Sequence, residues 1–269
     1  MSKVYLKTKY LIDIIIFHRF TMSKIKCFIV DLDGTVYRGD TLVKNANRRI
    51  IRMRQKGKVL FVTNNASLSR KAYVKKLKGF GIPVTLDDVV TSAYVSADYI
   101  HKNYHNPRVF VIGTEGLIQE LKNLGIEVCH RKCNIVLVGL DKKFNYDKLK
   151  IALKFVHAGA EFIATNEDNV LMKEEEVVPG TGAIVASLKI SSDIEPIIIG
   201  KPSDIMADFI ITKAGVKPEE ILLIGDSIDS DIRMGKKFGM KTALVLTGLT
   251  SPEDLKKTDI KPDYVFDRL

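Results

Sequence analysis

The stretch Phe28-Ile29-Val30-Asp31-Leu32-Asp33-Gly34-Thr35 runs three apolar, strand-forming residues straight into two aspartates spaced two apart. Side chains of an extended segment alternate faces, so Asp31 and Asp33 point the same way at the end of a buried strand while Leu32 points elsewhere. Gly34 then allows a sharp turn. Two carboxylates held side by side repel each other unless a cation or a shared proton relieves them. A divalent metal and phosphate chemistry account for the pattern most economically, since an aspartate can act as a nucleophile and carry an acyl phosphate.

Acidic turns often follow strands, and one Asp-x-Asp is a weak signal. Three later segments repeat its grammar. Leu60-Phe61-Val62-Thr63-Asn64-Asn65 ends an apolar run in a hydroxyl and two amides. Ile197-Ile198-Ile199-Gly200-Lys201-Pro202 ends one in a lysine between Gly and Pro. Ile221-Leu222-Leu223-Ile224-Gly225-Asp226 ends one in a carboxylate, with Asp229 and Asp231 just beyond. Each places polar chemistry past the carboxyl end of an expected strand, where open α/β sheets put their ligands.

In this order the four segments resemble the motifs of the haloacid dehalogenase (HAD) superfamily of phosphohydrolases. The long insertion between the second and third segments is similar to the cap of its NagD-like, or p-nitrophenyl phosphatase, branch. Thr63-Asn64-Asn65, Ala164-Thr165-Asn166 and Pro179-Gly180-Thr181-Gly182-Ala183-Ile184 carry that finer resemblance. It implies an α/β fold: a Rossmann-like core with a parallel sheet, plus an inserted α/β cap domain. It also implies a Mg²⁺-dependent phosphomonoester hydrolase working through an aspartyl-phosphate. Asp31 is then the nucleophile, and Asp33 the acid and base. Thr63, Asn64 and Lys201 bind phosphate. Asp31, Asp226 and the backbone carbonyl of Asp33 hold the metal, with Asp231 either beside it through water or fixing Lys201. A phosphotransferase and an inactive phospho-ligand-binding protein are the alternatives.

The 269 residues suffice for a sizeable core or two modest domains. The net charge of +10 comes from lysines spread along the chain, as at Lys75-Lys76, Lys142-Lys143 and Lys236-Lys237, without an aromatic-interleaved arginine cluster. No nucleic-acid partner is expected; the field favours small anionic substrates instead. Three cysteines make no disulfide framework, and a cytoplasmic setting fits them. No membrane partner is expected, because the N-terminal apolar run Leu11–Phe17 is short and interrupted by Asp13. Met22 stands where such proteins usually begin, so residues 1–21 read as an extension. A homo-oligomer is left open.

Hydrophobic periodicity and turn residues divide the remainder. Residues 22–83 and 196–269 read as the core, and 84–195 as the cap, with Ile197–Ile199 resuming the core sheet. A helix is expected from Asp88 to His101. Within the cap, Thr165-Asn166-Glu167-Asp168-Asn169 follows a strand, which makes Asn166 and Asp168 the candidates for reading the leaving group of a small phosphorylated metabolite.

Overall fold

In the computed structural model, which describes residues 24–173 and 176–269, the four apolar runs become strands of two parallel sheets. The expectation about residues 1–21 and Met22 lies outside the described residues. In chain order the first strands are β1 (Cys27–Val30), β2 (Tyr37–Arg38), β3 (Thr41–Leu42), β4 (Lys58–Thr63), β5 (Val89–Thr91), β6 (Arg108–Ile112), β7 (Glu127–Val128) and β8 (Ile135–Val138). There follow β9 (Glu161–Ala164), β10 (Val170–Lys173), β11 (Glu176–Pro179), β12 (Ile197–Ile198), β13 (Ile221–Gly225), β14 (Lys241–Val245) and β15 (Tyr264–Phe266). The α-helices are α1 (Ala46–Arg54), α2 (Arg70–Gly79), α3 (Ser92–Asn103), α4 (Glu115–Asn123), α5 (Tyr146–His157), α6 (Thr181–Ser192), α7 (Asp204–Ala214), α8 (Arg233–Lys237) and α9 (Pro252–Lys257).

The first sheet has the order β15-β14-β13-β1-β4-β5, parallel throughout. Its central strands are apolar on both faces because helices cover both. Alternation sorts them cleanly. Cys27, Ile29, Leu60, Val62, Ile221 and Leu223 enter one cluster, while Phe28, Val30, Val59, Phe61, Leu222 and Ile224 enter another. From β1 the chain moves outward to β4 and β5, then returns on the other side of β1 as β13. The crevice at the carboxyl ends of β1 and β13 is thus a topological switch point. Asp31 and Asp226 follow those two strands directly.

The second sheet has the order β12-β9-β8-β6-β7, also parallel. The antiparallel hairpin β10–β11 stands apart from it. Two expectations change here. Ile197–Ile198 pairs with Ile163–Ala164 of β9, so the strand that leads to Lys201 belongs to the second sheet, not to the core sheet. The segment expected as helix from Asp88 starts instead as β5, with Val89–Thr91 paired to Phe61–Thr63, and only then becomes α3. Both are short apolar runs, for which local pattern cannot name the partner strand. Cys129 and Cys133 are joined by a disulfide in the loop between β7 and β8, a local link the cysteine count did not anticipate.

The two sheets share one hydrophobic cluster. Ala97 and Ile100 of α3 and Met206 and Ile210 of α7 join residues of the first sheet to Val109, Leu137 and Ile163 of the second. At the edge of this contact the loop after β4 meets α4. The Thr114 hydroxyl donates to the Ser67 carbonyl at 2.8 Å. A Cβ on Gly116 would lie 2.6 Å from the Leu68 backbone, so only glycine lets the two segments meet. Glu120 of α4, 1% exposed, accepts from the Arg70 amide at 2.7 Å and from its Nε at 3.2 Å. The Arg70 guanidinium also lies 3.4 Å from the centre of the Tyr94 ring on α3.

Removing one partner of a buried pair strands the other charge, at a cost of about 3–5 kcal/mol. Arg70→Ala should therefore lower unfolding free energy by about that much in urea titrations, while the double variant Arg70→Met, Glu120→Leu recovers only part of the loss, because it also takes the acceptor from the Arg70 amide. A loss below about 1 kcal/mol for Arg70→Ala would place the pair among ordinary surface contacts.

Candidate active site

β1 delivers Asp31 to the switch point, where its amide donates to the Ile224 carbonyl of β13 at 2.9 Å. Asp33 follows two residues on, and Gly34, at φ +79°, turns the chain back so that its amide reaches the Tyr37 carbonyl. Strands β2 and β3 then form a short antiparallel pair, with Tyr37 buried in the core. Asp33 borders the cleft together with Asp226, and the Lys201 charge that faces Asp31 also acts on Asp33.

Lys201 stands at its centre, 3% exposed. Its Nζ donates to Asp31 Oδ1 at 2.7 Å and to Asp231 Oδ1 at 2.6 Å, and lies 3.4 Å from the Val62 carbonyl. Burial acts to lower the lysine's pKa, but Asp231 and Asp31 outweigh it and hold the ammonium charged. Asp231 sits on a π turn, Ile228–Ile232, and its second oxygen accepts from the Ser227 amide. The Asp31, Asp226 and Asp231 carboxylates converge, each offering an oxygen within 4.8 Å of the others.

Asp226 is pressed into this group by two glycines. A Cβ on Gly34 would lie 2.3 Å from its Oδ2, and one on Gly248 would lie 1.7 Å away. The Leu249 amide donates to that oxygen at 2.7 Å. Gly248 and Leu249 went unnoticed in the sequence, where nothing marks the turn after β14 as chemical.

The amides after β4 divide their work. Asn64 faces away from the cleft and grips the lysine loop. Its Oδ1 accepts from the Lys201 amide at 2.8 Å, and its Nδ2 donates to the Lys201 carbonyl at 2.9 Å and to Asp168 Oδ2 at 2.9 Å. Asn65 lines the cleft, with its Nδ2 3.4 Å from Asp33 Oδ2. Thr63 is buried and accepts from the Asn65 amide at 3.1 Å. Of the two amides that follow Thr63, it is Asn65 and not Asn64 that lines the cleft.

Asn166 and Asp168, expected to read the leaving group, occupy another place. Asn166 is 2% exposed, and its Nδ2 donates to Asp168 Oδ2 at 2.7 Å. With Asn64 they form a three-residue tie between β9 and the lysine loop. Asp168 borders a separate cleft behind Lys201 and Pro202. The cleft that opens on Asp33, about 820 Å³ in volume, is walled from the cap side by Leu140, Phe144, Leu171, Val178 and Ile184.

Two family models match the chain, the haloacid dehalogenase-like hydrolase over residues 28–127 and a HAD-hydrolase-like model over residues 198–269. The sugar-phosphatase AraL of Bacillus subtilis is 37% identical over 248 residues, covering 90% of this chain and 89% of its own. The chain belongs to the haloacid dehalogenase-like hydrolases. It is an enzyme of their phosphatase group. The 4-nitrophenylphosphatase of Thermotoga maritima superposes with a TM-score of 0.88 at 35% identity, over 93% of this chain and 97% of that one. The glycerol phosphate phosphatase of Mycobacterium tuberculosis, solved in complex with magnesium, superposes at 0.83 with 30% identity, over 91% of this chain and 76% of that one.

The donor set of this HAD hydrolase fits a divalent cation. Three converging carboxylates share a single ammonium, which leaves negative charge uncompensated. The consequences are visible in the acid groups. Burial pushes Asp31 well above the usual carboxylate range, with Asp231 and Asp226 adding to the rise against Lys201. Burial and the Asp231 charge raise Asp226 to about 7. Asp33 is raised by burial, opposed by the Asn65 hydrogen bond. A hard cation with oxygen ligands is the ordinary relief for such a cluster.

The sign of the pH dependence follows. Asp226 keeps its proton in the folded, metal-free protein up to about pH 7, whereas the unfolded chain releases it near pH 4. Between those values the folded state holds more protons, so this group lowers stability as pH rises and has no further effect above the window. A cation competes with that proton. The rise in Tm on adding Mg²⁺ to EDTA-treated protein should be larger at pH 8 than at pH 5.5, and Asp226→Asn should shrink the difference. Equal rises at both pH values would remove Asp226 from the cation's ligands.

Proposed function

We propose that this enzyme hydrolyses phosphate monoesters of small metabolites through an aspartyl-phosphate, with Asp31 as nucleophile. The observation that carries the proposal is Asp31 held by a buried lysine in a group of three carboxylates at the switch point. The Asp31 carboxylate attacks phosphorus in line as the ester oxygen departs. Asp33, whose raised pKa suits an acid, gives its proton to that oxygen. In the second step the Asp33 carboxylate takes a proton from water, which attacks the acyl phosphate, releases inorganic phosphate and restores Asp31.

Lys201 supports both steps from a fixed position. It offsets charge on Asp31 and on the incoming phosphate, and Asp231 and Asn64 hold it there. Asn65, which lines the cleft beside Asp33, and Thr63, buried behind it, would donate to the non-bridging oxygens. Asp31, Asp226 and the Asp33 carbonyl are the groups that would hold Mg²⁺, with Asp231 adjoining. When bound, the ion neutralises the phosphate dianion against the carboxylates. The aryl and sugar phosphatases among the relatives support the reaction class.

Turnover of p-nitrophenyl phosphate is expected, lost on chelation and regained with Mg²⁺. Asp31→Asn should reduce kcat by more than about 10³-fold and abolish acid-stable labelling by radioactive substrate. Asp33→Asn should lower it about 10²- to 10⁴-fold, the range for loss of a general acid. Normal turnover by Asp31→Asn would overturn the covalent mechanism. Transfer of phosphate mainly to an added alcohol, rather than to water, would make the enzyme a phosphotransferase.

A further inference from the structure

The cap wall of the active-site cleft carries charge that the phosphate chemistry does not use. Among the described residues two cationic side chains line the cleft, Lys76 and Lys142. Lys76 is occupied. Its Nζ donates to the Gly39 carbonyl at 2.7 Å, lies 3.1 Å from Asp40 Oδ1 and sits 4.1 Å from the centre of the Tyr37 ring. Lys142 is exposed and has no hydrogen bond or ion pair among the described residues.

The neighbouring carboxylate does not neutralise it. Asp141, 6% exposed, is fixed on both oxygens: Oδ1 accepts from the Lys143 amide at 2.8 Å and Oδ2 from Lys148 Nζ at 2.5 Å. The Phe144 amide in turn donates to the Asp141 carbonyl, and the Gly139 amide to the Ile112 carbonyl of β6. A loop secured at these points sets one unpaired lysine in the wall of the cleft that opens on Asp33. Its apolar neighbours Leu140 and Phe144 would not compete for the charge.

Resting on the phosphatase reading, we infer that Lys142 reads a second anionic group on the leaving group. The preferred substrates are then phosphate monoesters that also carry a carboxylate or another phosphate. Lys142 is a specificity residue, not a catalytic one, because the reacting atoms lie with Asp31 and Asp33. Glu176 borders the same cleft from β11 with the opposite charge, and a cationic leaving group would be read there instead.

The test compares competitive inhibition of p-nitrophenyl phosphate hydrolysis by matched phosphonates. Propylphosphonate and 3-phosphonopropionate differ by one carboxylate; propane-1,3-diphosphonate carries a second phosphonate, and 2-aminoethylphosphonate a cation. The wild-type enzyme should bind the two doubly anionic compounds about three- to fivefold more tightly than propylphosphonate, the scale of a solvent-exposed ion pair. That ratio should fall towards one at high salt, fall to one in Lys142→Gln, persist in Lys142→Arg, and invert in Lys142→Glu. A ratio unchanged in Lys142→Gln, or a wild-type preference for 2-aminoethylphosphonate, would overturn the inference while hydrolysis continues. Absence of hydrolysis under all metal conditions would overturn the phosphatase reading itself.

Discussion

A buried ammonium ion between two carboxylates organises this molecule. Lys201 has lost almost all contact with water, yet stays charged because Asp31 and Asp231 each accept one of its hydrogen bonds. A lysine without such partners would shed its proton on burial. The three residues come from the ends of three distant segments, so the contact exists only once both sheets are formed. The strand leading to Lys201 belongs to the second sheet, whereas Asp31 follows a strand of the first. The ion pairs therefore span the junction between the layers, and the arrangement around Lys201 depends on how the sheets meet.

The same arrangement creates a surplus of negative charge. One lysine serves three carboxylates, and Asp226 reaches the group only because Gly34 and Gly248 leave it room. Without a cation, burial and mutual repulsion push these acids upward in pKa. The protein thus holds a charged cluster that is costly by itself, and a divalent cation would offset its surplus negative charge.

Two polar ties keep the junction in register. Asn64, Asn166 and Asp168 bind the lysine loop to both the first-sheet loop and the end of β9. Arg70 and Glu120 bind α2 to α4 at the edge of a shared apolar cluster. The loop after β8 and the β10–β11 hairpin instead form walls of the cleft.

The order and spacing of short-range patterns determined much of this from the sequence alone. Apolar runs buried on both faces announced parallel strands, and polar residues at their carboxyl ends announced the site, because alternation and strand ends are local properties of the chain. Asp31, Asp33, Lys201 and Asp226 were legible for that reason. Tertiary structure decided which sheet each run joins and what each amide faces. Ile197–Ile198 pairs with β9, since a two-residue apolar strand carries no information about its neighbour. Asn64 turned to the lysine backbone and Asn65 to the cleft, and Asn166 and Asp168 became internal ties, because a side chain's partner is set by distant segments brought together in space. Gly248 acquired its purpose only when Asp226 was packed against it, a steric requirement between residues more than twenty positions apart that no local pattern encodes.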